Sequence, residues 1–236
     1  MATAKARQKI VKTFLELIAD QGFDPVTMPQ VAEAAGVKMS ALRESFGSKS
    51  ALVAAFAEQI DCIVLDERDD DMADQPSRDR LFDILMTRID HLAPHREAVR
   101  ALYKAAKHDP VLALEFNRIA VRSQQWMLTA AGIELHGLKK RIVAQGVARA
   151  YANVLETWLD EADEGMPKTM ARLDKELDDG VGWMKRLNRL EGVLKMAGRL
   201  RSRSRCRKAR RRRDQTDADR SGETVRPDEG EASAAT

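Results

Sequence analysis

Seven basic side chains fall within the first fifty residues: Lys5, Arg7, Lys9, Lys12, Lys38, Arg43 and Lys49. Gathered on one face, guanidinium and ammonium groups neutralise the phosphates of a polyanion, and such binding weakens steeply with salt. Nothing comparable points to catalysis. His91 and His95 have the spacing of metal ligands on a helix, but Pro94 between them breaks the helix that would align them, and His108 and His136 stand alone. The acidic run Asp69–Asp71 has no partner base, and the chain holds neither a phosphate-binding glycine loop nor a nucleophile elbow. These residue types imply a binding protein without metal or cofactor, not an enzyme.

The basic residues need a scaffold, and the segment from Thr27 to Phe46 provides one. Thr27 can cap a helix, with Gln30 three residues on reaching back to complete a capping box. Pro29 falls in the first turn, where a missing N–H costs little. Gly36 supplies the left-handed conformation that ends this helix and turns the chain. Ala32 is small where a second helix must cross close over the first. Val31, Ala35, Val37, Leu42 and Phe46 form the apolar side that locks the pair. Two short helices joined this way are a helix-turn-helix, whose second helix (here near 39–45) enters a DNA major groove by its N-terminal residues.

The flanks extend the pattern. Residues 5–21 carry Ile10, Phe14, Leu17 and Ile18 at helical spacing, with Gly22 as the stop. After Phe46, Ser48 is the expected N-cap of another helix, with Leu52, Phe56, Ile60 and Ile63 along one face. The stretches Gly22-Phe23-Asp24-x-Val26-Thr27, Val31-Ala32-x-x-Ala35-Gly36-Val37 and Phe46-x-Ser48-Lys49-x-Ala51-Leu52 resemble the tetracycline-repressor (TetR) family. The resemblance covers about a quarter of the chain and implies DNA-binding transcriptional regulation. It implies that Lys38, Met39, Ser40 and Ala41 lie at the groove while Thr27, Arg43, Ser45 and Lys49 approach phosphates. The chain departs from the family where Ser or Thr usually stands in place of Lys38, an aromatic at 43 and His or Tyr at 45. Those departures weaken the transfer of single contacts more than that of the whole role.

Beyond residue 65 the periodicity is helical throughout: 77–92, stopped at Pro94; 94–108; 110–131, broken at Gly132; 137–162; and a last helix from Pro167. No strand pattern and no repeat occurs. The expected fold is all-α with about nine helices: an N-terminal helix-turn-helix domain over 4–64 (motif 27–46), a helical ligand-binding and dimerisation domain over 65–198, and a tail over 199–236. That tail explains a misleading charge balance. Residues 199–213 hold nine Arg and one Lys with no acid, so of the net +3 they supply +10 and the rest of the chain sums to −7. The tail is too poor in large apolar residues to offset its ordering entropy, and its charge suits DNA, anionic lipid or RNA alike. Of the two cysteines, Cys62 is expected to be buried among Ile60, Ile63 and Val64. With no secretion signal and no membrane-span-length apolar run, the expected location is cytoplasmic.

The second half is harder to read. The resemblance implies a homodimer whose last two long helices, about 137–162 and 167–190, form a four-helix bundle with their mates. A single short helix reads few base pairs, so the expected partner is double-stranded DNA with a pseudo-palindromic site. A small apolar effector could sit among Phe82, Met86, Tyr103, Trp126, Met127 and Trp158, residues that equally suit an ordinary core. Trp158-Leu-Asp-Glu, Thr169-Met-Ala-Arg-Leu-Asp-Lys-Glu-Leu177 and Trp183 also resemble, more weakly, the C-terminal domain of coenzyme Q biosynthesis accessory proteins. That resemblance implies a competing lipid-binding role, and the one-sided apolar residues of 183–200 suit either a membrane-surface helix or a bundle helix with a basic flank.

Overall fold

A computed structural model describes residues 4–68 and 70–184, the side chains at 70 and 71 excepted. Among these residues the fold is all-helical, without a strand. Eight complete helices follow one another: α1 (Ala4–Gln21), α2 (Met28–Ala35), α3 (Met39–Ser45), α4 (Lys49–Asp66), α5 (Ser77–Leu92), α6 (Arg96–His108), α7 (Pro110–Ala130) and α8 (Gly137–Asp160). A ninth, α9, occupies 167–184, up to the last described residue. The stretch 185–236 lies outside the described residues. With it lie the Arg-rich tail, most of the expected membrane-surface helix and the end of the last helix.

Local signals set most boundaries. Pro94 sits inside a short 3-10 turn, Ala93–His95, so α6 begins at Arg96 rather than at 94. Asp109 caps α7 by accepting from the amides of Val111 and Leu112 at 2.8 and 3.2 Å, with Pro110 in the first turn. Helix α8 ends at Asp160 because Glu161 turns away to serve α9. Its carboxylate is buried and accepts from the amides of Lys168 (2.7 Å) and Thr169 (2.8 Å) and from the Thr169 hydroxyl (2.6 Å). Arg96 and Arg100 donate to the carbonyls left open at the end of α8, among them that of Leu159.

Two expectations about α4 are corrected. Cys62 is exposed, not buried, and Ile63 is 39% exposed. The buried face instead carries Leu52, Val53, Phe56, Ile60, Asp61 and Val64. Its apolar residues spread around much of the helix, so the period alone does not choose a face. On the buried face Asp61 turns inward to meet Arg88 of α5. Helix α4 packs on α1, α5 and α7, joining the first three helices to the rest within one compact unit, Met1–Gly182. The expected domain boundary after residue 64 falls near the end of this helix.

Candidate nucleic-acid interface

The turn that presents α3 is built from α2 outward. Thr27 holds an extended conformation at the N-cap; its backbone N–H donates to Gln30 Oε1 at 2.7 Å, and the Gln30 amide points back at the Thr27 hydroxyl at 3.5 Å, the capping box foreseen from sequence. Gly36 adopts φ 65°, ψ 36°, and its amide donates to the carbonyls of Ala32 and Glu33. The Val37 amide then reaches the Ala32 carbonyl at 2.9 Å, closing the helix end. Ala32 and Ala35 are buried beneath α3.

Leu42 and Phe46 fix α3 from below, with 0% and 3% exposure. With these two inward, the first turn of α3 must face out. Lys38, Met39 and Ser40 are exposed, Met39 by 48%, and Ala41 is half-buried. Lys38 is the N-cap residue and makes no side-chain cap bond to the open amides of this turn. Arg43 is exposed one turn later, its guanidinium 3.5 Å from where a Cβ on Gly47 would lie. Lys5 and Lys9 of α1 are also exposed, and Lys9 Nζ lies 3.7 Å from the Cβ position of Gly36. Lys9 thus lies beside the turn between α2 and α3, and Arg43 beside the turn that follows α3.

Four expected members are engaged inside the protein. The Thr27 hydroxyl belongs to the capping box. Ser45 Oγ donates to the Ala41 carbonyl of its own helix at 2.8 Å. Lys49 Nζ donates to the carbonyls of Phe23 (2.8 Å) and Asp24 (3.3 Å) and lies 4.3 Å above the Phe23 ring. Burial pulls this ammonium below its ordinary pKa, against the opposing pull of Asp24. Arg7, expected on the basic face, donates to the Ser45 carbonyl at 2.8 Å and lies 4.4 Å above the Phe46 ring. Arg7 thus braces the end of α3 against α1, and Lys49 ties the start of α4 to the turn after α1. Both tie residues 26 to 38 positions apart, a pairing that no local sequence signal announces.

The six residues expected around an effector are dispersed. Met127 and Trp158 are fully buried core, Phe82, Met86 and Tyr103 are half-buried, and Trp126 is 53% exposed on the outer side of α7, which removes it from any interior pocket. Clefts of about 210, 300 and 360 Å³ occur elsewhere, and none is lined by any of the six.

Residues 10–56, which hold the capping box, the turn and α3, match the family model described as bacterial regulatory proteins, tetR family. Over these residues the chain carries a tetR-family helix-turn-helix domain. A curated relative, the uncharacterized HTH-type transcriptional regulator YerO of Bacillus subtilis, is 22% identical over 191 residues, covering 76% of this chain. The match spans 66% of that relative's length. Among solved structures, a TetR transcriptional regulator from Nitrosomonas europaea aligns with TM-score 0.59 and 22% identity over 74% of this chain and 97% of its own. One from Rhodococcus sp. RHA1 aligns at 0.55 and 21%, over 75% and 96%. The TetR-family repressor FadR of Thermus thermophilus, crystallised with lauroyl-CoA, aligns at 0.52 and 18%, over 74% and 93%. At these identities the structural likeness speaks for the fold, which carries the helix-turn-helix and a helical C-terminal part. No described helix of this chain is long and apolar enough to cross a membrane.

Proposed function

We propose that the protein is a sequence-specific DNA-binding repressor that works as a homodimer and responds to a small molecule. The observation that carries this reading is the posture of α3. Its buried Leu42 and Phe46 force Lys38, Met39 and Ser40 outward on a turn braced by Gly36, Arg7 and Lys49. In a major groove, Lys38 and Ser40 can bond base edges and Met39 can contact a thymine methyl. Arg43, Lys5 and Lys9 neutralise phosphates, as do the open amides at the start of α4 above Ser48, whose hydroxyl caps the Ala51 amide at 3.2 Å. Lys49 contributes through that helix start rather than through its tethered ammonium.

One α3 reads too few base pairs to find a site, so two copies related by a two-fold axis read half-sites about 34–36 Å apart. Pairing through the outer faces of α8 and α9 is supported by Met170 and Val181, each 39% exposed on α9. An effector bound among α4, α5, α7 and α8 would act through α4, which is joined to α3 by a link of three residues. It would lower DNA affinity by its preference for the non-binding arrangement. Iterative selection from randomised duplexes tests the proposal. A two-fold-symmetric consensus supports it; sequence-blind, salt-sensitive retention alone removes it.

A further inference from the structure

Four helices meet around a charged cluster that the DNA-reading role does not use. Asp61 of α4 accepts from Arg88 Nη1 of α5, and its same oxygen, Oδ1, accepts from Ser123 Oγ of α7 at 2.7 Å. The Arg88 guanidinium lies 5.9 Å from the centre of the Tyr151 ring of α8. Asp61, Arg88, Ser123 and Tyr151 are 7%, 6%, 2% and 4% exposed. Even so, Arg88 Nε has no hydrogen-bond partner among the described residues, and the Tyr151 hydroxyl, close enough to the guanidinium for each to shift the other's pKa, makes no well-aligned hydrogen bond there.

Such an arrangement is poor as a structural device. A buried ion pair seldom stabilises more than an apolar pair of the same volume would, and each unpartnered buried polar atom costs further free energy. Burial lowers the Arg88 pKa, Tyr151 opposing, and burial raises that of Tyr151, Arg88 opposing. Two donors, Nε–H and O–H, are thus open beside a guanidinium that Asp61 engages at Nη1. A carboxylate matches that set: one oxygen takes the Nε edge of Arg88 and the other the Tyr151 hydroxyl.

We propose that Arg88 and Tyr151 form the recognition point for an effector bearing a carboxylate, which binds by competing with Asp61 for Arg88. This rests on the regulatory reading above and names the chemistry of its effector. Two carboxylates on one buried guanidinium repel, so the incoming group displaces Asp61 and its tie to Ser123. Helix α4 then loses its polar anchor to α5 and α7, and by reciprocity DNA and the carboxylate oppose each other's binding.

The test uses the full chain, without DNA, in calorimetric titrations with butyrate, octanoate, benzoate and phenylacetate, each against its primary amide. At least one carboxylate binds and its amide does not. Asp61→Asn strengthens that binding, on the order of tenfold, because the competitor is gone; Tyr151→Phe weakens it by about tenfold with the loss of one charge-assisted hydrogen bond. Arg88→Met abolishes it, and Tyr151→Phe, which removes one atom, keeps the test open should Arg88→Met not fold. Absence of carboxylate-selective binding in both the wild type and Asp61→Asn overturns the proposal, as does binding that Asp61→Asn weakens. Since no DNA is present, a failed operator selection leaves this result intact, and the reverse holds equally.

Discussion

Removing one member of the buried cluster should cost far more than removing the pair. Asp61→Leu leaves the Arg88 guanidinium, 6% exposed, without its only carboxylate partner among the described residues. An uncompensated buried charge costs about 3–5 kcal/mol. For a folded unit the size of Met1–Gly182, each kcal/mol shifts Tm by roughly 2–4 °C, so Asp61→Leu should lower Tm by about 6–20 °C. Ser123→Ala removes only one hydrogen bond to the charged oxygen, about 1.5–3 kcal/mol, and should lie well above Asp61→Leu in Tm. Asp61→Leu/Arg88→Met removes both charges and fills similar volume, so it should return close to wild type or exceed it. Differential scanning calorimetry at one fixed protein concentration reads the series, the fixed concentration excluding mass-action shifts from self-association. Should the double variant melt as low as Asp61→Leu, the loss would belong to packing, and the buried-charge reasoning would fail.

Three other outcomes follow from the geometry. Gly36→Ala forces a side chain into the left-handed region at about 1–2 kcal/mol, and Thr27→Ala removes the cap at about 1 kcal/mol; denaturant titration should show both losses, and an unchanged midpoint would deny the turn its role. Arg43→Ala should reduce the slope of log affinity for duplex DNA against log salt by about one with stability unchanged, whereas Lys49→Met should lower stability because it releases the Phe23 and Asp24 carbonyls; equal effects of the two on DNA binding would contradict the bracing role. Burial raises the pKa of Glu161, but donation from the Thr169 hydroxyl and the Lys168 and Thr169 amides outweighs it and holds the group below the ordinary glutamate value. Because the folded pKa is depressed, its stabilisation is present above the unfolded pKa and is lost as pH falls through the folded one. Glu161→Gln should therefore be less stable than wild type at neutral pH and should lose less between about pH 5 and 3; parallel pH curves for the two proteins would refute this.

The helix-turn-helix was legible because its signals are local. A capping box spans three residues, a left-handed glycine marks itself, and the burial of Leu42 and Phe46 follows from helical spacing. What stayed hidden depends on residues far apart in the chain. Arg7 and Ser45 are 38 positions apart, Lys49 and Phe23 26, Arg88 and Asp61 27, and Ser123 and Asp61 62. Charged residues at those positions read as solvated, so the sequence points Lys49 and Arg7 toward phosphate and leaves Asp61 unmarked. The error on Cys62 and Ile63 has the same root: an inward aspartate is intelligible only once its arginine is in place. Trp126 misled for the opposite reason, since an aromatic at helical spacing reads as core whether or not a neighbour covers it.

The central claim is that the first turn of α3 reads DNA. It is tested most directly by repeating the duplex selection with Lys38→Ala/Met39→Ala/Ser40→Ala, three exposed residues whose removal leaves the braces of α3 intact. The triple variant should melt as the wild type does but recover no consensus, or a changed one. Recovery of the wild-type consensus at wild-type affinity would contradict it.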